Sequence, residues 1–265
     1  MNETISVMPA VEIYDVRQIS IPALSIVVPT YNESKNIHTL IEKIGKSLNH
    51  VDYEVIIVDD NSPDGTSEIV RELNEQYENL KLVERSGKLG LSSAVLDGFA
   101  TANESAQVLS VMDADLQHPP DLLAKMYSEI SDGCDLVIAS RYLHESRIQG
   151  WSVKRRIVSR IATALVKVIF KETRGVSDVL SGFFMVKRKV VVNTPLSPVG
   201  FKILLELLVN GEYLLVSEIP YTFSSRKNGK SNLNTKEIWN FLVHIRKLLK
   251  ARSTAKYVNR IRFTK

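Results

Sequence analysis

Glu54-Val-Ile-Ile-Val-Asp-Asp-Asn-Ser-Pro-Asp-Gly65 is the stretch on which the fold turns. Val55 to Val58 are all β-branched, with no polar alternation. A strand of that kind needs cover on both faces, as in a parallel sheet wrapped by helices. It stops at two aspartates, and Asn61–Gly65 supplies turn chemistry before Ile69, Val70 and Leu73 mark a helix. Working outward, Leu24-Ser-Ile-Val-Val28 forms a similar strand that stops at Pro29, followed by Ile37, Leu40, Ile41, Ile44 and Leu48 at helical spacing. Lys81–Glu84, Gln107–Met112 and Leu136–Ala139 read as further strands, and Pro119-Pro120 opens a helix. Strand–helix alternation predicts an α/β domain, Rossmann-like, with a mixed, mostly parallel sheet flanked by helices.

The second half is less regular. Gly150–Arg174 is amphipathic and carries seven Lys or Arg against Glu172, with Ile157, Val158, Ile161, Leu165, Val168 and Ile169 on its apolar side. Ser181–Lys187 and Leu214–Ile219 read as strands, and Phe201–Val209 as a short helix. A polar loop, Ser224 to Asn234, leads to a last helix with Ile238, Phe241, Leu242, Ile245 and Leu249 on one side. The expected division is an amino-terminal extension over 1–22, a catalytic domain over 23–234 and a basic, amphipathic, membrane-proximal tail over 235–265.

Composition narrows the classes. An apolar fraction of 44% suits a chain with a real core. One cysteine, Cys134, excludes an internal disulfide framework and a cysteine-cluster metal site, and points to a reducing compartment. Met1–Pro22 lacks the basic start and apolar block of a secretory signal. The net charge of +4 is uneven: Arg226–Lys265 holds twelve Lys or Arg and one acid, Glu237, leaving the preceding residues at −7. A basic tail on an acidic body calls for an anionic surface. Few aromatics interleave with those charges, so nucleic acid is not the expected partner. No run reaches the roughly 18 apolar residues of a spanning helix, so a peripheral position on the cytoplasmic side of a membrane is expected.

Ligands of such sheets collect beyond the carboxyl ends of the strands. Asp113 and Asp115 stand at one such end, where a nucleotide diphosphate would require a hard cation, Mg²⁺ or Mn²⁺, between carboxylate and phosphate. Gln117 is placed to orient a ligand or a metal-bound water. Asp59 reads as a turn cap and Asp60 as a ligand contact. His38 and His118 have no spaced partner and read as structural or surface residues, and Tyr142 and Trp151 as packing residues. Arg141 directly follows a strand, and a guanidinium there suits two-pronged phosphate contact. A dehydrogenase is excluded because Pro29-Thr-Tyr-Asn32 occupies the place of a Gly-x-Gly-x-x-Gly turn.

These pieces together resemble a known group. Val28-Pro-Thr-Tyr-Asn-Glu33, Val58–Gly65, Gly87-Lys-Leu-Gly-Leu91 and Met112-Asp-Ala-Asp-Leu-Gln-His-Pro119 resemble the GT-A glycosyltransferases of family 2. Ser140-Arg-Tyr142, Lys154–Ser159, Ser177-Asp-Val-Leu-Ser-Gly-Phe-Phe184 and Ile219–Phe223 are similar to the dolichyl-phosphate (polyprenyl-phosphate) mannose synthases, in order from about Leu24 to Leu233. The resemblance implies a GT-A fold and mannose transfer from GDP-mannose to dolichyl or polyprenyl phosphate; a UDP-glucose-dependent glucosyltransferase is the alternative. It implies nucleotide-sugar contacts at Pro29, Tyr31, Glu33, Asp60, Lys88, Asp113, Ala114, Asp115, Gln117 and Arg226. It places metal and diphosphate at Asp113, Asp115 and Gln117, lipid phosphate at Arg141, Arg155 and Ser159, and catalytic roles at Asp115, Arg141 and Asp178. Val179-Leu180 replaces the more familiar Pro-Met after Asp178, a conservative change. Relatives carry carboxy-terminal transmembrane helices or rely on a separate membrane-anchoring subunit, and the second arrangement, or loss of the spans, is expected here. No Gln-x-x-Arg-Trp signature is present, as suits a phosphate nucleophile that is already ionised and needs no general base.

Overall fold

The computed structural model describes residues 22–197, 202–224, 235–252 and 262–263. The expected amino-terminal extension, Arg226 and most of the tail beyond Arg252 lie outside them.

In chain order the elements are β1 (Leu24–Thr30), α1 (Ser34–Ser47), β2 (Tyr53–Asp59), α2 (Thr66–Asn74), β3 (Leu80–Glu84), α3 (Leu91–Thr101), β4 (Val108–Val111) and α4 (Leu122–Ser131). There follow β5 (Leu136–Ser140), β6 (Arg147–Ile148), α5 (Val153–Ile169), β7 (Phe184–Lys187), α6 (Arg188–Val192), α7 (Ile203–Asn210), β8 (Leu215–Pro220), β9 (Thr222–Phe223), α8 (Thr235–Arg252) and β10 (Arg262–Phe263). The main sheet runs β10-β8-β5-β7-β4-β1-β2-β3, with β7 antiparallel to both neighbours and every other pairing parallel. The expected mixed, mostly parallel sheet is therefore present. The apolar strands do bury both faces. Along β1 and β2, Val27, Ile56 and Val58 join one core with α3, α7 and α8. Their neighbours Ile26, Val28, Val55 and Ile57 join a second core with α1, α2 and α4, the two-residue alternation of a pleated strand. Helix α3 approaches β1 closely at Gly98, where a Cβ would come within 2.3 Å of Val27 Cγ1.

Two expectations change. β1 does not stop at Pro29 but pairs through Thr30 with Asp59. The β4 ladder ends at Val27↔Val111, so Pro29, on the same edge as Val27, lies past the neighbour that would have needed its N–H. Ser181–Phe183 is not strand; β7 begins at Phe184, and the preceding residues form a loop under the site.

Helix α8 divides its expected apolar side. Phe241, Ile245 and Leu248 are buried with α7, and His244 Nε2 meets the buried carboxylate of Glu206 at 2.7 Å. Trp239, Leu242 and Leu249 are exposed. Helix α5 is the more open: Val153, Ile157, Ile161, Leu165 and Val168 all face outward. Among the described residues no helix is long and apolar enough to cross a membrane.

Candidate active site

The tips of β1, β2 and β4 each turn through a left-handed residue: Asn32 (φ 61°), Asn61 (φ 58°) and Leu116 (φ 60°). Asparagine tolerates this conformation; leucine pays about 1–2 kcal/mol for it. Strain held at three neighbouring strand ends marks this edge as the functional one.

At β2, Asp59 is fully buried and accepts hydrogen bonds from Thr30 Oγ1 (2.9 Å), Ser62 N (2.8 Å), Ser62 Oγ (2.6 Å) and Ser67 Oγ (2.9 Å). It fastens the turn. Asp60 pairs with buried Arg85 and accepts the Gly90 N–H at 3.2 Å. Arg85 also donates to Gly90 O (3.2 Å) and Ser93 Oγ (2.6 Å) and pairs with Asp97 at 2.9 Å. This hub holds the 86–90 loop closed on itself, and from that loop the Lys88 ammonium sits 3.8 Å over the half-exposed Tyr31 ring. Glu33 lies beside them, its N–H donating to Thr66 Oγ1 (3.0 Å) and its carboxylate accepting from Asn36 Nδ2 (2.6 Å). The fold thus brings Pro29, Tyr31, Glu33, Asp60 and Lys88 to one corner. Arg85 was absent from the sequence reading, although a cation directly after β3, facing the acid after β2, is the signal that would have found it.

At β4, the Asp113 N–H donates to His118 Nδ1 at 2.9 Å. His118 is buried, stacks on Phe183 at 5.2 Å between centroids, and has its pKa pushed down to about 4 by burial, with Asp115 only partly opposing. The ring is neutral at pH 7 and carries its proton on Nε2. Ala114 and Asp115 are buried, whereas the Asp113 side chain is 38% exposed. The turn at Leu116 lets the Gln117 N–H reach Asp115 Oδ1 (3.0 Å), while Gln117 Nε2 donates to Ser224 O (2.6 Å). Beneath Asp113 lies Gly182, whose Cβ would come within 3.6 Å of Asp113 Oδ2 and 3.3 Å of His118 Cε1. The glycine keeps that side of the carboxylate clear.

At β5, Arg141 and Asp178 form a two-pronged pair, Nε to Oδ2 at 2.7 Å and Nη2 to Oδ1 at 2.8 Å; the Arg141 N–H adds 3.0 Å to Oδ2. Asp178 is fully buried, and the Arg141 side chain only 10% exposed. The guanidinium holds the Asp178 carboxyl below the usual range despite burial, and the carboxylate raises the Arg141 pKa in turn. Glu218 accepts the Ser177 and Asp178 N–H groups at 2.6 and 3.0 Å and anchors the loop. Tyr142, Trp151 and Phe223 surround the guanidinium within 5.8 Å. Arg155, on α5, stacks over Trp151 at 4.2 Å, and Ser159 receives the Tyr142 hydroxyl at 2.7 Å. The neighbouring Arg156 donates to Ile148 O at 2.7 Å on another side of the helix.

Tyr221 was not singled out from sequence. Its hydroxyl is buried with no hydrogen-bond partner, and burial pushes its pKa up. Its ring lies 6.2 Å both from His118, which accepts the Asp113 N–H, and from Phe223, whose ring is 5.8 Å from the Arg141 guanidinium, so one aromatic cluster joins the two centres.

Sheet order, strand-tip carboxylates and the opposing arginine define a glycosyltransferase of GT-A architecture. The chain belongs to glycosyl transferase family 2, whose model matches residues 25–193, and the relatives to which it is similar include dolichol-phosphate mannosyltransferases. It is 41% identical over 227 residues to that of Pyrococcus furiosus, covering 86% of this chain but 64% of the relative's length. It is 35% identical over 236 residues to that of Saccharomyces cerevisiae, covering 84% of this chain and 86% of the relative. Among solved structures, glucosyl-3-phosphoglycerate synthase from Mycobacterium tuberculosis, in complex with Mn²⁺, UDP-glucose and phosphoglyceric acid, superposes with a TM-score of 0.61. That match covers 89% of this chain and 81% of the other at 18% identity, a likeness of fold.

Proposed function

We propose that the chain transfers mannose from GDP-mannose to the phosphate of dolichol or another polyprenol. The observation that carries the reading is one aromatic cluster, His118, Tyr221 and Phe223 with ring centroids 6.1–6.2 Å apart, which joins the strand tip of Asp113 and Asp115 to the Arg141–Asp178 pair. One centre suits a diphosphate with its cation, the other a lipid phosphate.

Asp113 and Asp115, with Gln117 beside them, fit a divalent cation. Asp113 is open on the side that Gly182 leaves clear, and two carboxylates plus substrate phosphate are an ordinary Mg²⁺ or Mn²⁺ donor set. When bound, that ion neutralises charge on the departing diphosphate. Tyr31 and Lys88 hold the nucleoside end, and Arg226 lies outside the described residues. Arg141, Arg155 and Ser159 orient the acceptor phosphate, which is ionised near neutral pH and attacks the anomeric carbon directly, with inversion. Asp178 keeps Arg141 in place and never needs to take a proton. The outward apolar face of α5 begins next to this site, so it rests on the leaflet that presents the lipid.

GDP-mannose with Mg²⁺ raises the melting temperature more than UDP-glucose with Mg²⁺ does at equal concentration; the reverse order selects the glucosyl reading. Arg85→Met leaves Asp60 buried without its cation. It lowers unfolding free energy by about 3 kcal/mol and weakens GDP binding about tenfold, measured by urea denaturation and calorimetric titration.

A further inference from the structure

A cavity of about 700 Å³ opens between the loop after β5 and the side of α5 that carries Arg156, Arg160, Thr163 and Lys167. Among its described lining residues there is no carboxylate, and α5 supplies three cations, Arg156, Arg160 and Lys167. Thr163 is 92% buried, lines this cavity, and its Oγ1 has no hydrogen-bond partner. A buried hydroxyl left unpaired is costly, and an acceptor oxygen in the cavity would satisfy it. The Arg156 bond to Ile148 O fixes one wall against β6.

The helical arrangement says where that oxygen comes from. Arg156, Arg160 and Lys167 each precede an outward apolar residue, Ile157, Ile161 and Val168. One residue is about 100° around a helix, so the cationic row borders the apolar stripe along its whole length. A phosphate carried at the level of a membrane headgroup meets this row as the stripe settles on the acyl boundary.

We propose that the end of this cavity at Arg160 and Lys167, beyond the Arg141 that it shares with the acceptor seat of Arg141, Arg155 and Ser159, is a second phosphate-binding site, occupied by the phosphate group of an acidic membrane lipid or by free phosphate. It recognises phosphomonoester or phosphodiester oxygen through Arg160 and Lys167, with Thr163 donating its hydroxyl. Such a site fixes the angle of α5 on the leaflet independently of which sugar is transferred.

The test uses the whole chain with dihexanoyl-phosphatidylglycerol below its micellar concentration, inorganic phosphate, and phosphatidylcholine vesicles with or without phosphatidylglycerol. The R160Q/K167Q double variant binds the soluble lipid about 25-fold more weakly, roughly fivefold per charge, whereas K154Q, on the far side of the stripe, binds as wild type. T163V removes the hydroxyl without changing charge or shape; it binds the soluble lipid more weakly yet melts no lower than wild type, which separates binding from folding. Phosphatidylglycerol binding at least tenfold more tightly than inorganic phosphate assigns the site to the lipid headgroup, and equal binding assigns it to free phosphate. Equal losses per charge in K154Q and the double variant, unaltered binding by T163V, or no binding of either probe overturns the site. Vesicle flotation separates this from the α5 reading: apolar docking predicts residual association of the double variant with phosphatidylcholine alone.

Discussion

Asp115→Asn lowers the rate of sugar transfer about a thousandfold and leaves the urea midpoint within experimental scatter of wild type. The substitution preserves shape, and asparagine Oδ1 still accepts the Gln117 N–H that closes the strained turn at Leu116. What is lost is one negative charge facing the diphosphate, and with it half of a two-carboxylate cation seat. Removing a single electrostatic stabiliser of a transition state costs about 10²–10³ in rate, and loss of the cation places Asp115 at the upper end. Steady-state kinetics with a Mg²⁺ titration checks it: the variant needs more metal for half-activity and stays slow at saturation. A variant with normal kcat would remove Asp115 from the proposed chemistry.

The second large effect falls on the Arg141–Asp178 pair. Asp178→Asn leaves a guanidinium in an almost closed setting without its counter-charge, and breaking a buried pair from one side costs about 3–5 kcal/mol, a large share of the 5–15 kcal/mol typical of a domain. Arg141→Lys keeps the charge but loses the fork that spans both Asp178 oxygens and the Leu180 carbonyl, and lowers kcat/KM for the lipid acceptor about a hundredfold. The pair also shapes acid stability. Because the folded-state pKa of Asp178 is depressed, its contribution is complete above the unfolded carboxyl value near pH 4 and is lost as pH falls below it. Asp178→Asn therefore flattens the acid limb of the stability profile, and an unchanged limb would contradict the assignment.

How far sequence reached depends on the kind of residue. The strands with uninterrupted apolar runs, β1, β2 and β5, were legible because burial on both faces leaves a compositional mark. β7 was overextended to Ser181 because Phe183 and Phe184 look alike in sequence; only pairing with β4 and β5 separates them. The strand-tip carboxylates were legible through their position after such runs. Gly182 was not, since its value lies in the space it leaves beside Asp113, and no local pattern reports space. Tyr221 was hidden for the same reason: a tyrosine in Ile219-Pro-Tyr-Thr-Phe223 looks like packing until its hydroxyl is found buried without a hydrogen-bond partner, its ring between His118 and Phe223. The apolar sides of α5 and α8 were both visible, but periodicity does not say which finds a partner. α8 packs Phe241 and Ile245 on α7, whereas α5 keeps Ile157, Ile161 and Val168 in the open. Among the described residues, the apolar helix face left most open is therefore that of α5.

The most direct measurement supplies the chain with radiolabelled GDP-mannose, Mg²⁺ and a short-chain polyprenyl phosphate in detergent, and follows label into the organic phase. The expected product is a mannosylated lipid of inverted anomeric configuration, formed at a rate that chelation abolishes. Extractable label from UDP-glucose alone, a product of retained configuration, or full transfer after chelation would contradict it.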